Sequence, residues 1–185
     1  MNSPKSILIY FAEGFEEIEA ITPVDVLRRA GFDVKMVSVT GNLDVKGAHD
    51  IIVHTDLLFE DADYEEADLI ILPGGMPGSK NLDEHEDLKQ KIMQHYEKNK
   101  YIGAICAAPM VLGHLGLLKG RRATCFPGFE EHLKRAYVTT EKVEVSEKIT
   151  TARGPGAAMD FSLKLVEILA GKDKAKQLAD RMIVS

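Results

Sequence analysis

Cysteine occurs only twice in this chain, and one of the two, Cys106, lies in the segment YIGAICAAP (Tyr101–Pro109) among Gly103, Ala104, Ala107 and Ala108. A core thiol ordinarily packs against larger neighbours, whereas this one is set where bulky side chains are missing. In a nucleophile elbow the reactive side chain occupies a sharp, strained strand-to-helix turn, and small residues two before and two after it avoid a clash. Ala104 and Ala108 hold those places, and Pro109 suits the first turn of the helix that follows, where a missing N–H costs nothing. A helix N-terminus there is expected to lower the thiol's pKa through its dipole and free amides. On spacing alone, a small core residue chosen for its volume fits equally well.

Partners for such a thiol can be sought at the ends of other strands. AEGFEEIEA (Ala12–Ala20) carries Glu16, Glu17 and Glu19. Glu16 and Glu19 are three apart and share a helix face, while Glu17 points elsewhere. A carboxyl desolvated in a crevice has its pKa raised and, when protonated, donates to a thiolate. Acids in a first helical turn also serve plain dipole complementarity, which accounts for two of the three. Gly74 and Gly75 follow Pro73 in LPGG and expose backbone N–H groups that, with the Ala107 amide, can hold an oxyanion; a plain turn uses the same residues. LPGGMPGSK has neither G-x-G-x-x-G nor G-x-x-x-x-G-K-[ST] spacing, so no nucleotide site is indicated.

The histidines offer no metal pair. His49 and His54 have opposite parity if they share a strand, and His85 and His95 stand about 15 Å apart along a helix. His114 and His132 read as surface or hydrogen-bonded residues rather than ligands.

The elements needed to position these groups alternate along the chain. Strands are expected at Ser6–Phe11, Asp33–Val39, Ala67–Gly75, Tyr101–Ile105 and Ala123–Phe126, with a β pair at Lys142–Val145 and Lys148–Ala152. DIIVHTD (Asp50–Asp56) reads as an excursion or hairpin arm. Helices are expected over Glu16–Gly31, kinked or restarted at Pro23, over Glu84–Lys98, over Ala108–Leu118, over Glu130–Ala136, over Ala157–Leu169 and near the C-terminus. Continuous apolar strands alternating with helices imply one α/β domain, residues 1–185, with a mostly parallel sheet covered on both faces. Ligands of such sheets bind where the parallel strands end, and that rim receives the Glu16–Glu19, Gly74–Gly75 and Cys106 segments together.

A net charge of −6 argues against nucleic acid, which needs a concentrated basic surface. No run approaches the roughly 20 apolar residues of a membrane helix. The apolar run Ile7–Phe11 is too short for a signal peptide and meets Glu13, Glu16 and Glu17. Two cysteines make no disulfide framework, so a cytoplasmic protein with a free Cys106 is expected.

AEGFEEIE, LPGG, AICAAP and ARGPG, in this order and spacing, resemble the DJ-1/ThiJ/PfpI superfamily over nearly the whole chain, Lys5 to about Ile183. Within it the match is to the Parkinson's-associated deglycase branch and its bacterial ThiJ-like relatives. The resemblance implies a flavodoxin-like three-layer α/β sandwich, a homodimer, and a reactive cysteine at Cys106 with a protonated glutamate, Glu19, hydrogen-bonded to it. It further implies pocket amides at Gly74, Gly75 and Ala107, an R-G-P-G loop at Arg153–Gly156, and Glu16 and Arg28 close to the pocket and dimer contact. Two positions depart from the pattern. Peptidase-like and chaperone-like branches carry histidine directly after the cysteine, where this chain has Ala107, so peptidase activity is not expected. The animal branch has T-x-H-P where this chain reads Thr124–Cys125–Phe126–Pro127, so Phe126 replaces an imidazole beside the thiol.

The activity the resemblance implies is glutathione-independent conversion of methylglyoxal and related small dicarbonyls to hydroxy acids, and deglycation, without metal or organic cofactor. Cys106 would add to the aldehyde, the amides would steady the oxyanion, and Glu19 would move the proton. Alternatives are a redox-responsive stress or holdase protein using Cys106 sulfinate, and a thiazole-biosynthesis-associated protein without glyoxalase activity.

Overall fold

The computed structural model describes residues 4–184. Its elements, in chain order, are β1 (Ser6–Phe11), α1 (Glu17–Arg29), β2 (Asp33–Ser38), β3 (Asp44–Lys46), β4 (Ile52–His54), β5 (Leu57–Leu58), β6 (Leu69–Leu72), α2 (Gly78–Glu84), α3 (Glu86–Glu97), β7 (Tyr101–Ile105), α4 (Pro109–His114), β8 (Arg122–Ala123), β9 (Tyr137–Val138), β10 (Val143–Ser146), β11 (Ile149–Ala152), α5 (Ala158–Ala170) and α6 (Lys172–Arg181). One sheet runs β10-β11-β7-β6-β1-β2-β5, every neighbouring pair parallel except β10 with β11. The expected mostly parallel sheet is therefore present, with helices on both faces.

Strand parity divides the core cleanly. Ile7, Ile9 and Phe11 of β1, with Leu69 and Ile71 of β6, pack with Leu27 of α1 and Phe161 and Leu165 of α5. Leu8, Tyr10, Ile70, Leu72, Ile102 and Ala104 face the other way, toward Leu88 and Ile92 of α3 and Val111 and Leu112 of α4. Strands apolar on both faces are what a doubly covered sheet requires, and each large aliphatic side chain so buried contributes about 1.5–3 kcal/mol. Gly103 makes room within β7: a Cβ there would lie 2.9 Å from Phe161 Cζ.

Several expected boundaries differ. Helix α1 runs through Pro23 without interruption; the N–H that proline lacks is the one that would bond the Glu19 carbonyl, four residues back. The helix expected over Glu84–Lys98 is α3, which begins two residues later because His85 caps it, Nδ1 accepting from the Leu88 amide at 3.1 Å; α2, Gly78–Glu84, lies outside the expected elements. The helix expected to reach Leu118 stops at His114, because the chain turns at Gly116 with φ +76°. The strand expected over Ala123–Phe126 is only Arg122–Ala123: beyond it the backbone bends so that the Phe126 amide donates to the Cys106 carbonyl at 2.8 Å. Glu130–Ala136 forms only a short 3-10 turn, Glu130–His132. Ile52–His54 is indeed a hairpin arm, paired antiparallel with β3.

Candidate active site

Three parallel strands, β1, β6 and β7, end side by side. Backbone bonds stitch the β1 and β6 loops together, the Glu16 amide donating to Gly74 O at 2.9 Å and Gly78 to Gly14 O at 3.2 Å, while Cys106 is held from the other side by Ala152 O of β11 at 2.9 Å. Cys106 itself has φ +66°, a left-handed conformation for a residue with a Cβ. That geometry costs on the order of 1–3 kcal/mol and survives only where the surroundings enforce it. Here the flanking Ala104 and Ala108 are fully buried, and α4 begins at Pro109 as expected for an elbow. Rather than standing out, the thiol is largely enclosed, with 8% of the residue exposed.

Of the three clustered acids, each has a separate task. Glu16 caps α1: its Oε2 accepts from the Glu19 amide at 2.8 Å. Glu17 turns away to the 47–51 turn, where Oε1 accepts from the His49 amide and Oε2 contacts His49 Nδ1, both at 2.7 Å. Burial alone would raise Glu17, but the His49 ring and amide outweigh it and hold the carboxyl below its ordinary range; His49 is raised in return. Glu19 faces the thiol. It is fully buried, and among the described residues neither of its carboxyl oxygens has a partner of good hydrogen-bond geometry. A Cβ on Gly74 would fall 2.2 Å from Glu19 Oε2 and 2.5 Å from Cys106 Cβ, so the glycine is the gap through which acid and thiol meet. At Gly75, φ is +90° and a Cβ would strike the Glu16 amide nitrogen at 2.3 Å, which reserves both positions for glycine.

Burial pushes Glu19 up to about 7, with the nearby Glu16 charge adding and the thiol and the Gly74 amide opposing. The Cys106 thiol is raised by burial and by the charge and hydrogen bonding of Glu19, and lowered by the amides of Gly75 and Ala107. This net direction is opposite to the expected lowering by the helix end: α4 has six residues, and the amides of Gly75, after β6, and Ala107, ahead of α4, are outweighed by enclosure and by an ionised neighbour. Two anions facing one another in an enclosed site share one proton.

Phe126, 43% exposed, borders a cleft of about 410 Å³ next to the elbow, with Arg153, Lys142 and Gly154 on its walls. Lys142 pairs with Asp160 at 3.1 Å. Arg28 is not brought to this site within one chain. It lies in the last turn of α1, bonding Val34 O and Asp56, about 14 Å along the helix from Glu19. Cys125 packs into the opposite layer with α3 and α4, whereas Cys106 belongs to the layer of α1 and α5. Two residues escaped the sequence reading. His49 sits in a turn rather than on a strand, so parity said nothing of it; Lys142 reaches the cleft through the β10–β11 hairpin, which only the fold reveals.

The DJ-1/PfpI family profile matches residues 5–168. The chain belongs to the DJ-1/PfpI family. It is 40% identical to Protein DJ-1 homolog B of Arabidopsis thaliana over 99% of its own length, and spans 42% of that plant relative. It is 34% identical to the Caenorhabditis elegans glutathione-independent glyoxalase DJR-1.2, covering 96% of each chain. The structure of oxidized Toxoplasma gondii DJ-1 superposes with a TM-score of 0.93 at 37% identity, covering 97% of this chain and 98% of that one. These matches carry the flavodoxin-like fold of the DJ-1 proteins. Among the described residues, no helix is long and apolar enough to cross a membrane.

Proposed function

We propose that the chain is a cysteine-dependent, glutathione-independent glyoxalase of the deglycase type, acting on small dicarbonyls such as methylglyoxal. The observation that carries this reading is the fully buried Glu19 carboxyl, with no hydrogen bond of good geometry among the described residues, set against a thiol on a strained elbow. Such a carboxyl, held near 7, is poised to take and return protons around neutrality.

The raised thiol and a carboxyl near 7 place the resting proton on sulfur. In the reactive state it passes to Glu19, and the negative charge moves to sulfur, where the Gly75 and Ala107 amides favour it. The thiolate adds to the aldehyde carbon, Glu19 protonates the resulting oxygen, and the amides steady it. Glu19, now ionised, removes the proton from that carbon to give an enediolate and returns it to the adjacent carbon, leaving a hydroxyacyl thioester. Water cleaves the thioester, releasing the hydroxy acid and restoring the thiol. The sum is dicarbonyl plus water to hydroxy acid.

The test is lactate formation from methylglyoxal without added thiols, for wild type, Cys106→Ser and Glu19→Gln. Turnover abolished by the serine and collapsed by the glutamine supports the proposal. A stoichiometric adduct without lactate sinks it. That outcome favours a second reading supported by the same proton: Glu19 donating to a Cys106 sulfinate in a redox-responsive protein.

As a working assembly we propose a homodimer in the cytoplasm. Ile18 and Ile21 of α1 and Ile51 and Ile52 of the neighbouring hairpin are exposed, on elements joined through Glu17 and His49, and a second copy would cover them. Arg28 would approach a pocket only across such an interface.

A further inference from the structure

Away from the thiol, three elements converge on a second group of side chains. Asp83 comes from α2, His114 is the last residue of α4, and His132 closes the 3-10 turn Glu130–His132. His114 Nδ1 lies 2.9 Å from Asp83 Oδ2, and His114 Nε2 lies 3.0 Å from His132 Nδ1. The backbone is shaped for this approach: a Cβ on Gly113 would fall 2.1 Å from the His132 carbonyl oxygen.

An ionised carboxylate only accepts, so His114 Nδ1 carries its hydrogen, and with the ring neutral Nε2 presents a lone pair. His132 Nδ1 must then donate into it. A carboxylate holding one ring nitrogen orients histidine so that the other is available to a metal; here that other nitrogen faces the second imidazole. Asp83 Oδ1 is buried with no partner among the described residues, leaving an acceptor for a cation-bound water. The Glu16–Glu17–His49 group also gathers ligand atoms within 4.8 Å, but its carboxylates hold the backbone amides of Glu19 and His49, donors that a cation there would orphan; the His114–His132 bond joins two side chains and releases no backbone group.

We propose that His114 Nε2 and His132 Nδ1 bind a borderline divalent transition cation, of which zinc is the probe, with Asp83 orienting His114 and water completing the coordination. Two nitrogens bound tetrahedrally at zinc distances of about 2.0–2.1 Å stand about 3.3 Å apart, so the spacing grows by about 0.3 Å while each ring turns by about 35° to redirect its nitrogen from its neighbour to the cation. The hydrogen on His132 Nδ1 moves to its Nε2, beside Glu131 Oε1 at 3.9 Å, and the neutral pair loses no net proton. The cation would pin the end of α4, the helix that starts at the elbow, to α2. This inference does not rest on the glyoxalase reading.

The experiment is a calorimetric titration of zinc into the full chain carrying Cys106→Ala, in thiol-free, non-chelating buffer. About one equivalent should bind in the micromolar range, with binding weakened about 10–100-fold by Asp83→Asn and lost in His114→Gln/His132→Gln. Nitrogen-15 histidine spectra should show zinc-dependent shifts at His114 Nε2 and His132 Nδ1. No binding up to about 1 mM zinc overturns the proposal, as does binding that survives the double variant or is lost with His49→Gln. Zinc-free melting curves verify folding, and His132→Gln alone, at a ring only 31% exposed, replaces the double variant if that one is unstable.

Discussion

Replacing Glu19 by glutamine tests the buried acid without touching the reaction. In the unfolded chain the carboxyl titrates at its ordinary value of 4.5, and in the folded chain at about 7. Between those values the folded state holds the extra proton, so folding stability falls as pH rises through the folded value. The stability is intact below 4.5 and is lost above 7. The penalty at Glu19 integrates to about 1 kcal/mol at pH 5 and about 3 kcal/mol at pH 8. Glutamine fills nearly the same volume and cannot ionise. The stability advantage of Glu19→Gln over wild type should therefore grow by about 2 kcal/mol from pH 5 to pH 8, moving the relative urea midpoint by about 1 M for a slope of about 2 kcal/mol per M. Comparing the two proteins at both pH values cancels contributions from Glu17, His49 and other titrating groups. Urea titrations that show the same gap at pH 5 and pH 8 would refute the assignment of a desolvated, proton-holding Glu19.

Gly74→Ala drives a Cβ between Glu19 and Cys106; it should cost about 1–3 kcal/mol in urea unfolding and lower methylglyoxal turnover about 100-fold by displacing the acid. The pH profile of turnover in wild type should carry an inflection near 7 from Glu19, absent from any residual activity of Glu19→Gln; an unchanged profile removes Glu19 from proton transfer. Arg153→Gln, on the wall of the cleft, should raise KM for dicarbonyls bearing a carboxylate by about 10-fold, with kcat for methylglyoxal held within about 2-fold. An equal loss for both substrates would mean a structural role.

The elbow was legible because its demands are local. A left-handed turn crowded by sheet and helix permits few residue types, and Ala104, Ala108 and Pro109 record that restriction directly. Delivery of Gly74, Glu19 and Cys106 to one rim followed from alternation of apolar strands and helices, whereas the neighbouring order β7-β6-β1 came only with the fold. Helix ends were less legible. Leu115, Leu117 and Leu118 extend the apolar pattern of α4, yet the positive φ of Gly116 stops the helix, and burial of those leucines rewards a turn as well as it would a helix. His49 and the His114–His132 contact lay outside sequence reasoning altogether, since each is made by chain segments that meet only after the sheet has formed. The thiol's electrostatics were half legible: the dipole argument supplied the amides but not the enclosure that opposes them.

The placement of the two sulfurs on opposite sides of the sheet has a consequence for the life of the protein under oxidant. The backbones of the two residues meet, the Phe126 amide donating to the Cys106 carbonyl at 2.8 Å, yet the side chains pack into different layers. A sulfenic acid formed on Cys106 therefore meets Cys125 only if one of the two buried side chains leaves its layer. A small thiol or a reductase able to enter at the rim faces no such step. The balance between repair and irreversible loss is thus set by the thiols that surround the molecule against the cost of loosening its own packing.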